Sequence, residues 1–281
     1  MANVIKETNA KFGPELNFAS SEAYNRLRLN LSFALPEKTG GKVIGVTSAV
    51  PQDGKSYTVI NLAYALAKNG NRVLIVDGDM RRPTMALRLG IPSKPGLSNM
   101  LIKQVDNAIM PIPMHSNMYA LVSGTIPPNP SELIGIPEMK NLLDRFSKQF
   151  DYVIVDLPPI DSVSDPIVVS RFVDGMVIVV KHGHTQKRDI AEAMRQLEFS
   201  GARVLGFVYN NFSKRQNRRY KRKYDDYDSP NAANDASKKE KKEKKEKENR
   251  AVRETREKNK KIINKKIKSF HSTEERNNEN S

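Results

Sequence analysis

Residues 49–56 read Ala49-Val-Pro-Gln-Asp53-Gly54-Lys55-Ser56. The apolar run Val43–Val46 lies just before them, inside an expected strand over 42–48. After them, residues 56–69 place Ile60, Ala63, Leu66 and Ala67 on one helical face. Strand, Gly-Lys-Ser loop and helix in that order are the context a phosphate-binding loop requires. Backbone N–H groups of such a loop, together with the helix N-terminus, wrap a phosphate chain. Gly54 allows close backbone approach, and Lys55 brings a charge to the β- and γ-phosphates. The Ser56 hydroxyl is placed to ligate Mg²⁺. Asp53 and Tyr57, flanking the triplet, are further candidates for nucleotide contact. Ala49 stands where the strict pattern has Gly. A chance turn before a helix is the bland alternative, and the ordered context counts against it.

Two more strand ends carry carboxylates. Leu74-Ile-Val-Asp77-Gly-Asp79-Met-Arg81 and Val153-Ile-Val-Asp156-Leu-Pro-Pro159 each close an apolar run on aspartate. In a parallel sheet, ligands collect at the carboxyl ends of strands. Ser56, Asp79 and Asp156 are therefore expected to hold Mg²⁺ or its waters. Lys55, Asp77, Asp79 and Arg81 are the candidate catalytic groups. Arg81 has two open partners, a phosphate or a carboxylate. The bland reading of these aspartates is that they cap helices or turns. Asn210, just past the last expected strand, is a candidate adenine contact or a turn cap.

The remaining runs are Val73–Val76, Tyr119–Val122, Tyr152–Val155, Met176–Val180 and Val204–Val208. They do not alternate with polar residues, so they read as strands buried on both faces of a parallel sheet. Helices are expected at Glu132–Phe146 and Ile190–Phe199, with an added N-terminal helix at Glu22–Phe33. Alternation of strand and helix gives a three-layer α/β fold.

Composition narrows the classes further. The 281 residues carry 47 Lys and Arg against 32 Asp and Glu, a formal charge of +15. There is no Cys, which removes disulfide frameworks, zinc–cysteine sites and thiol chemistry. No apolar stretch approaches the ~18 residues of a membrane span, and no signal peptide is expected. The charge is uneven. Residues 1–212 hold 23 basic and 19 acidic residues, and residues 213–281 hold 24 and 13. The basic excess thus belongs to a tail expected to be disordered, beginning after Phe212.

At this point the sequence resembles the bacterial tyrosine kinases of capsule and exopolysaccharide synthesis. The phosphate loop, Asp77-Gly-Asp-Met-Arg-Arg-Pro-Thr84 and Val155-Asp-Leu-Pro-Pro159 look like that family's three Walker motifs. Gly124-Thr-Ile-Pro-Pro-Asn-Pro-Ser-Glu-Leu133 and Ser164-Asp165-Pro166 are further matches. The neighbouring Min- and Par-type partition ATPases carry a signature Lys at the second loop position, where this chain has Val50. The resemblance implies a doubly wound, mainly parallel sheet and an ATP-dependent kinase using Mg²⁺. It also implies self-association in a ring, protein tyrosine substrates in polysaccharide synthesis, and activation by a separate transmembrane adaptor. The location it implies is cytoplasmic, peripheral at the inner face of the plasma membrane. The family's acceptor cluster corresponds to Tyr220, Tyr224 and Tyr227. Its ring-forming helix motif, Glu-x-x-Arg-x-x-Arg, corresponds to Glu22, Asn25 and Arg28, so Asn25 replaces one arginine. The expected divisions are an extension over 1–18, a kinase domain over 19–212, an acceptor segment over 213–228 and a charged tail over 229–281.

Within that tail, residues 238–248 repeat Lys-Lys-Glu and have no apolar face. Interleaved Glu and missing aromatic residues argue against nucleic acid as a partner. Ile263, Ile267 and Phe270 share a helical face among lysines, a pattern suited to an anionic membrane surface. Two other readings stay open: a non-kinase P-loop ATPase, and a scaffold of the polysaccharide machinery.

Overall fold

The sheet is built as the apolar runs dictate, with seven strands in the order β3-β4-β2-β5-β1-β6-β7. The structure, a computed structural model, describes residues 11–211. The tail tyrosines and the Ile263–Phe270 patch lie outside those residues. The strands are β1 (Lys42–Ser48), β2 (Val73–Asp77), β3 (Met110–Pro111), β4 (Met118–Leu121), β5 (Tyr152–Asp156), β6 (Gly175–Lys181) and β7 (Val204–Asn210). All pair in parallel except β3, which runs antiparallel to β4 at one edge. Two residues are too few to leave a pattern, and β3 has no counterpart among the expected strands.

Side chains alternate across the pleat and feed two cores. Leu74, Val76, Val153, Val155, Met176 and Ile178 belong to one. Val73, Ile75, Ile154, Val177 and Val179 belong to the other. The second core is covered by α1 (Phe18–Ala34) and α2 (Lys55–Lys68). The first lies beneath α4 (Leu97–Leu101), α6 (Pro137–Ser147), α7 (Asp165–Val169) and α8 (Lys187–Phe199). Ile60, Ala63, Leu66 and Ala67 are all buried, as the helical spacing requires. Short helices α3 (Met85–Leu89) and α5 (Pro130–Ile134) complete the order.

Three expectations change. The helix expected over Glu132–Phe146 is two helices, α5 and α6. Pro137 lacks a donor and pushes Ile136 into extended backbone, so the chain breaks there and restarts with proline at the first helical position. The N-terminal helix begins earlier than Glu22, because Asn17 caps it by accepting the Ser20 N–H at 2.9 Å. The run Val204–Val208 is not buried on both faces. β7 is the outer strand, and Phe207 is 49% exposed where no helix covers it.

Candidate nucleotide and phosphoryl-transfer site

The parallel register sets the site. β1 is flanked by β5 and β6, while β2 lies beyond β5. Asp77 and Asp156 are direct Cα partners at the carboxyl ends of β2 and β5. The phosphate loop leaves β1 at the same edge, beside Asp156, because Val46 pairs with it. Three segments distant in sequence are thereby delivered to one rim.

The loop has the shape its residues imply. Gly54 takes φ +93°, in the left-handed region glycine favours, and stands where α2 begins. A Cβ at Gly54 would lie 2.0 Å from Asn210 Nδ2, so no side chain fits. The first backbone bond of α2 runs from Thr58 N–H to Gly54 O at 2.9 Å. The amides of Lys55, Ser56 and Tyr57 therefore have no acceptor within the helix and face an anion-binding position.

The outer side of the loop is braced by residues that carry no motif. The Thr185 hydroxyl donates to Asp53 Oδ1 at 2.7 Å, and Asn210 Nδ2 donates to the Asp53 carbonyl at 2.8 Å. Lys181 Nζ donates to the Gln52 carbonyl at 3.3 Å, and His184 Nε2 lies 3.0 Å from the Pro51 carbonyl. The Asp53 side chain is fully buried in this brace, and burial pushes its carboxyl above the ordinary value. Asp53 and Asn210 thus hold the loop backbone with the groups expected to face a nucleotide. Tyr57 also turns elsewhere: its ring packs on Phe12 at a 5.4 Å centroid distance. Only its main-chain N–H faces the anion position.

On the inner side, the Ser56 hydroxyl donates to Asp156 Oδ2 at 2.5 Å. Asp156 is 2% exposed and its Oδ1 is buried with no hydrogen-bond partner among the described residues. Burial raises its carboxyl from 3.8 to about 6, with Lys55 and Ser56 pulling the other way. Asp77 is also pushed well above the ordinary value, first by burial, then by the charges of Asp156 and Asp79. Asp77 accepts from the Asp79 and Met85 N–H groups at 3.2 and 3.4 Å. Asp79, only partly buried, accepts the Arg82 N–H at 3.0 Å. An unpaired buried carboxylate oxygen beside a hydroxyl is what a hard cation with phosphate and water ligands fits. Among the described residues no group of three or more His, Cys, Asp or Glu forms a metal cage. A protein-only site is therefore not what these residues build.

Arg81 resolves between its two open partners in favour of a carboxylate. Its Nη2 donates to Ser131 Oγ at 2.8 Å and its Nε lies 3.7 Å from Asp165 Oδ2. Ser131 in turn donates to Asp165 Oδ1. The stretches 77–84, 124–133 and 164–166 meet at this point. On α1, Asn25 Nδ2 donates to Glu22 Oε1 at 2.9 Å, and Arg28 Nε is buried nearby on the same helix. Sequence reasoning missed Lys181, the last residue of β6, and the lone His184 and Thr185 in the loop that follows it.

The chain matches, over residues 41–275, the ParA family model described as NUBPL iron-transfer P-loop NTPase. The nucleotide-binding P-loop fold is thereby fixed. No Cys exists for thiolate ligation of iron. Tyrosine-protein kinase YwqD of Bacillus subtilis is 36% identical over 210 residues, which are 74% of this chain and 85% of YwqD. The chain belongs to the bacterial tyrosine-protein kinases. Tyrosine-protein kinase ptk of Acinetobacter johnsonii is 31% identical over 196 residues, which are 69% of this chain but only 26% of that protein. Among solved structures, the kinase domain of Escherichia coli tyrosine kinase ETK superposes with a TM-score of 0.66 at 31% identity. It covers 69% of this chain and 76% of that one. The chimerical protein CapA2B2 superposes with a TM-score of 0.65 at 32% identity, over 76% of this chain and 99% of that chain. Among the described residues, no helix of this kinase-family chain is long and apolar enough to cross a membrane.

Proposed function

We propose that the protein is an ATP-dependent protein-tyrosine kinase that phosphorylates its own tail tyrosines and regulates capsular or exopolysaccharide synthesis. The observation that carries this is the meeting of Lys55, Ser56, Asp77, Asp79 and Asp156 at one sheet edge in a chain of this family. Amides of the loop and Lys55 hold the phosphate chain and balance charge as it develops. Mg²⁺, when bound, neutralises phosphate charge, and Ser56, Asp156 and Asp79 are the groups that would hold it or its waters. Asp77, bonded to two amides, fixes Asp79.

In the transfer, a bond forms between tyrosine Oη and the γ-phosphorus while the bond to the bridging oxygen of ADP breaks. The phenol proton passes to Asp79, the partly buried member of the carboxylate pair. A phenol is a far weaker acid than a carboxylic acid and is not deprotonated by a carboxylate in advance, so the proton moves late in a loose transition state. Tyr220, Tyr224 and Tyr227 are the acceptors in this reading. Glu22, Asn25 and Arg28 contribute to self-association in a ring. A separate transmembrane adaptor holds the enzyme at the cytoplasmic face of the membrane, other tyrosine proteins of polysaccharide synthesis are further substrates, and the Ile263–Phe270 face touches anionic lipid.

Lys55→Met should abolish tail phosphotyrosine, read by mass mapping after incubation with ATP and Mg²⁺. Replacing Tyr220, Tyr224 and Tyr227 together with Phe should remove most of the signal and leave ATP binding. Wild-type-level phosphotyrosine in Lys55→Met sinks the mechanism. A second reading, a non-kinase ATPase, is favoured by the ParA family match; ATP hydrolysis without any phosphotyrosine would establish it instead.

A further inference from the structure

Around Asp79 the surface has a chemistry that the transfer step does not use. Arg81 is turned inward onto Ser131 and Asp165. Its neighbour Arg82 is exposed, and its guanidinium has no partner among the described residues. The main-chain N–H of Arg82 is bonded to Asp79 at 3.0 Å, so this cation is anchored three residues from the carboxylate that meets the acceptor. Leu87 on α3 is 65% exposed and Ile126 in the segment after β4 is 59% exposed. The Arg81–Ser131 bond ties the start of α5 to the loop that holds Arg82. Arg88 adds a second positive charge on the side of Asp156, and Glu132, paired with Asn129, is the acidic residue beside Ser131.

We propose that Arg82 selects the acceptor, favouring tyrosines with carboxylates as immediate neighbours. The inference rests on the kinase reading above and names the substrate class of that site. A residue flanking a tyrosine that reaches Asp79 has to pass this rim, and a negative flank meets an unpaired guanidinium there. The tail offers both extremes. Tyr227 lies between Asp226 and Asp228, Tyr224 between Lys223 and Asp225, and Tyr220 between Arg219 and Lys221. The site therefore phosphorylates Tyr227 first and Tyr220 last.

The test uses full-length protein with ATP and Mg²⁺, and reads the initial rate at each tail tyrosine by mass mapping. Tyr227 should exceed Tyr220 by about five-fold, the scale of one partly screened charge pair. Arg82→Glu should erase or invert that ratio. It retains the main-chain N–H to Asp79, and its melting temperature checks that it folds. Because the tyrosines also differ in reach, a second variant changes Asp225, Asp226 and Asp228 to Lys. That variant should slow Tyr227 about five-fold in the Arg82 protein and not in Arg82→Glu. Equal rates at Tyr220 and Tyr227, or a ratio that Arg82→Glu leaves unchanged, overturns the proposal and leaves the kinase reading standing. Absence of all phosphotyrosine from the unaltered protein overturns the kinase reading, and the acceptor preference with it.

Discussion

Asp156 has to be charged to hold a cation, yet it is buried where charge is costly. Its carboxyl titrates near 6 instead of 3.8, chiefly through burial. A folded-state value above the unfolded one means the folded protein takes up the proton more readily. The stability linked to this group is present at low pH and is lost as pH rises from about 4 through 6. Two units correspond to about 3 kcal/mol. Asp156→Asn should therefore stabilise the metal-free protein at pH 7.5 by up to about 3 kcal/mol and change little at pH 4. Denaturant unfolding of both proteins in chelator at the two pH values checks this. The same substitution should remove phosphotyrosine formation, since the unpaired Oδ1 is the group facing the metal position. A variant no more stable than the parent at pH 7.5 would mean that the carboxylate is already neutralised by other means.

The phosphate loop shows what a motif does and does not specify. Its order of strand, glycine turn and helix was legible in eight residues, because Gly54 and the following amides answer to local backbone rules. The strands were legible for the same kind of reason: residues buried on both faces leave unbroken Val and Ile runs. The brace was not legible. Thr185 and Lys181 lie more than a hundred residues from the loop, and Asn210 further still. Nothing local marks a threonine as the partner of a buried aspartate. The five-residue helices α3, α4 and α7 were equally silent, being shorter than the period that reveals a helix. Thr185→Val tests the brace. It removes the hydroxyl that donates to Asp53 and leaves a buried carboxylate short of a partner, a loss of about 1–3 kcal/mol. A lower melting temperature and weaker nucleotide binding, measured by titration, are the expected outcome. Unchanged binding with lowered stability would make the brace purely structural.

On the scale of the whole molecule, α1 carries apolar surface that its own core does not use. Leu31 is buried on the core shared with α2, and Tyr24 and Leu27 pack beside it. Leu29 and Phe33, one turn apart, are 45% and 86% exposed. An apolar pair of this kind, next to Glu22 and Arg28, suits contact with another copy of the chain. Asn25 sits between the two charges and spends its amide on Glu22 within the same helix. It thus adds no charge with which to reach a neighbour. Asn25→Arg restores the charge while Glu22 remains its near partner. Association should tighten by about five-fold, as one partly screened ion pair allows, and light scattering should show a larger mean mass at equal concentration. Phe33→Glu should act in the opposite sense by placing a charge on the apolar pair, while the core beneath Leu31 is untouched. If both variants keep the parent's mass across a dilution series, α1 is a solvated face and not the surface of self-association.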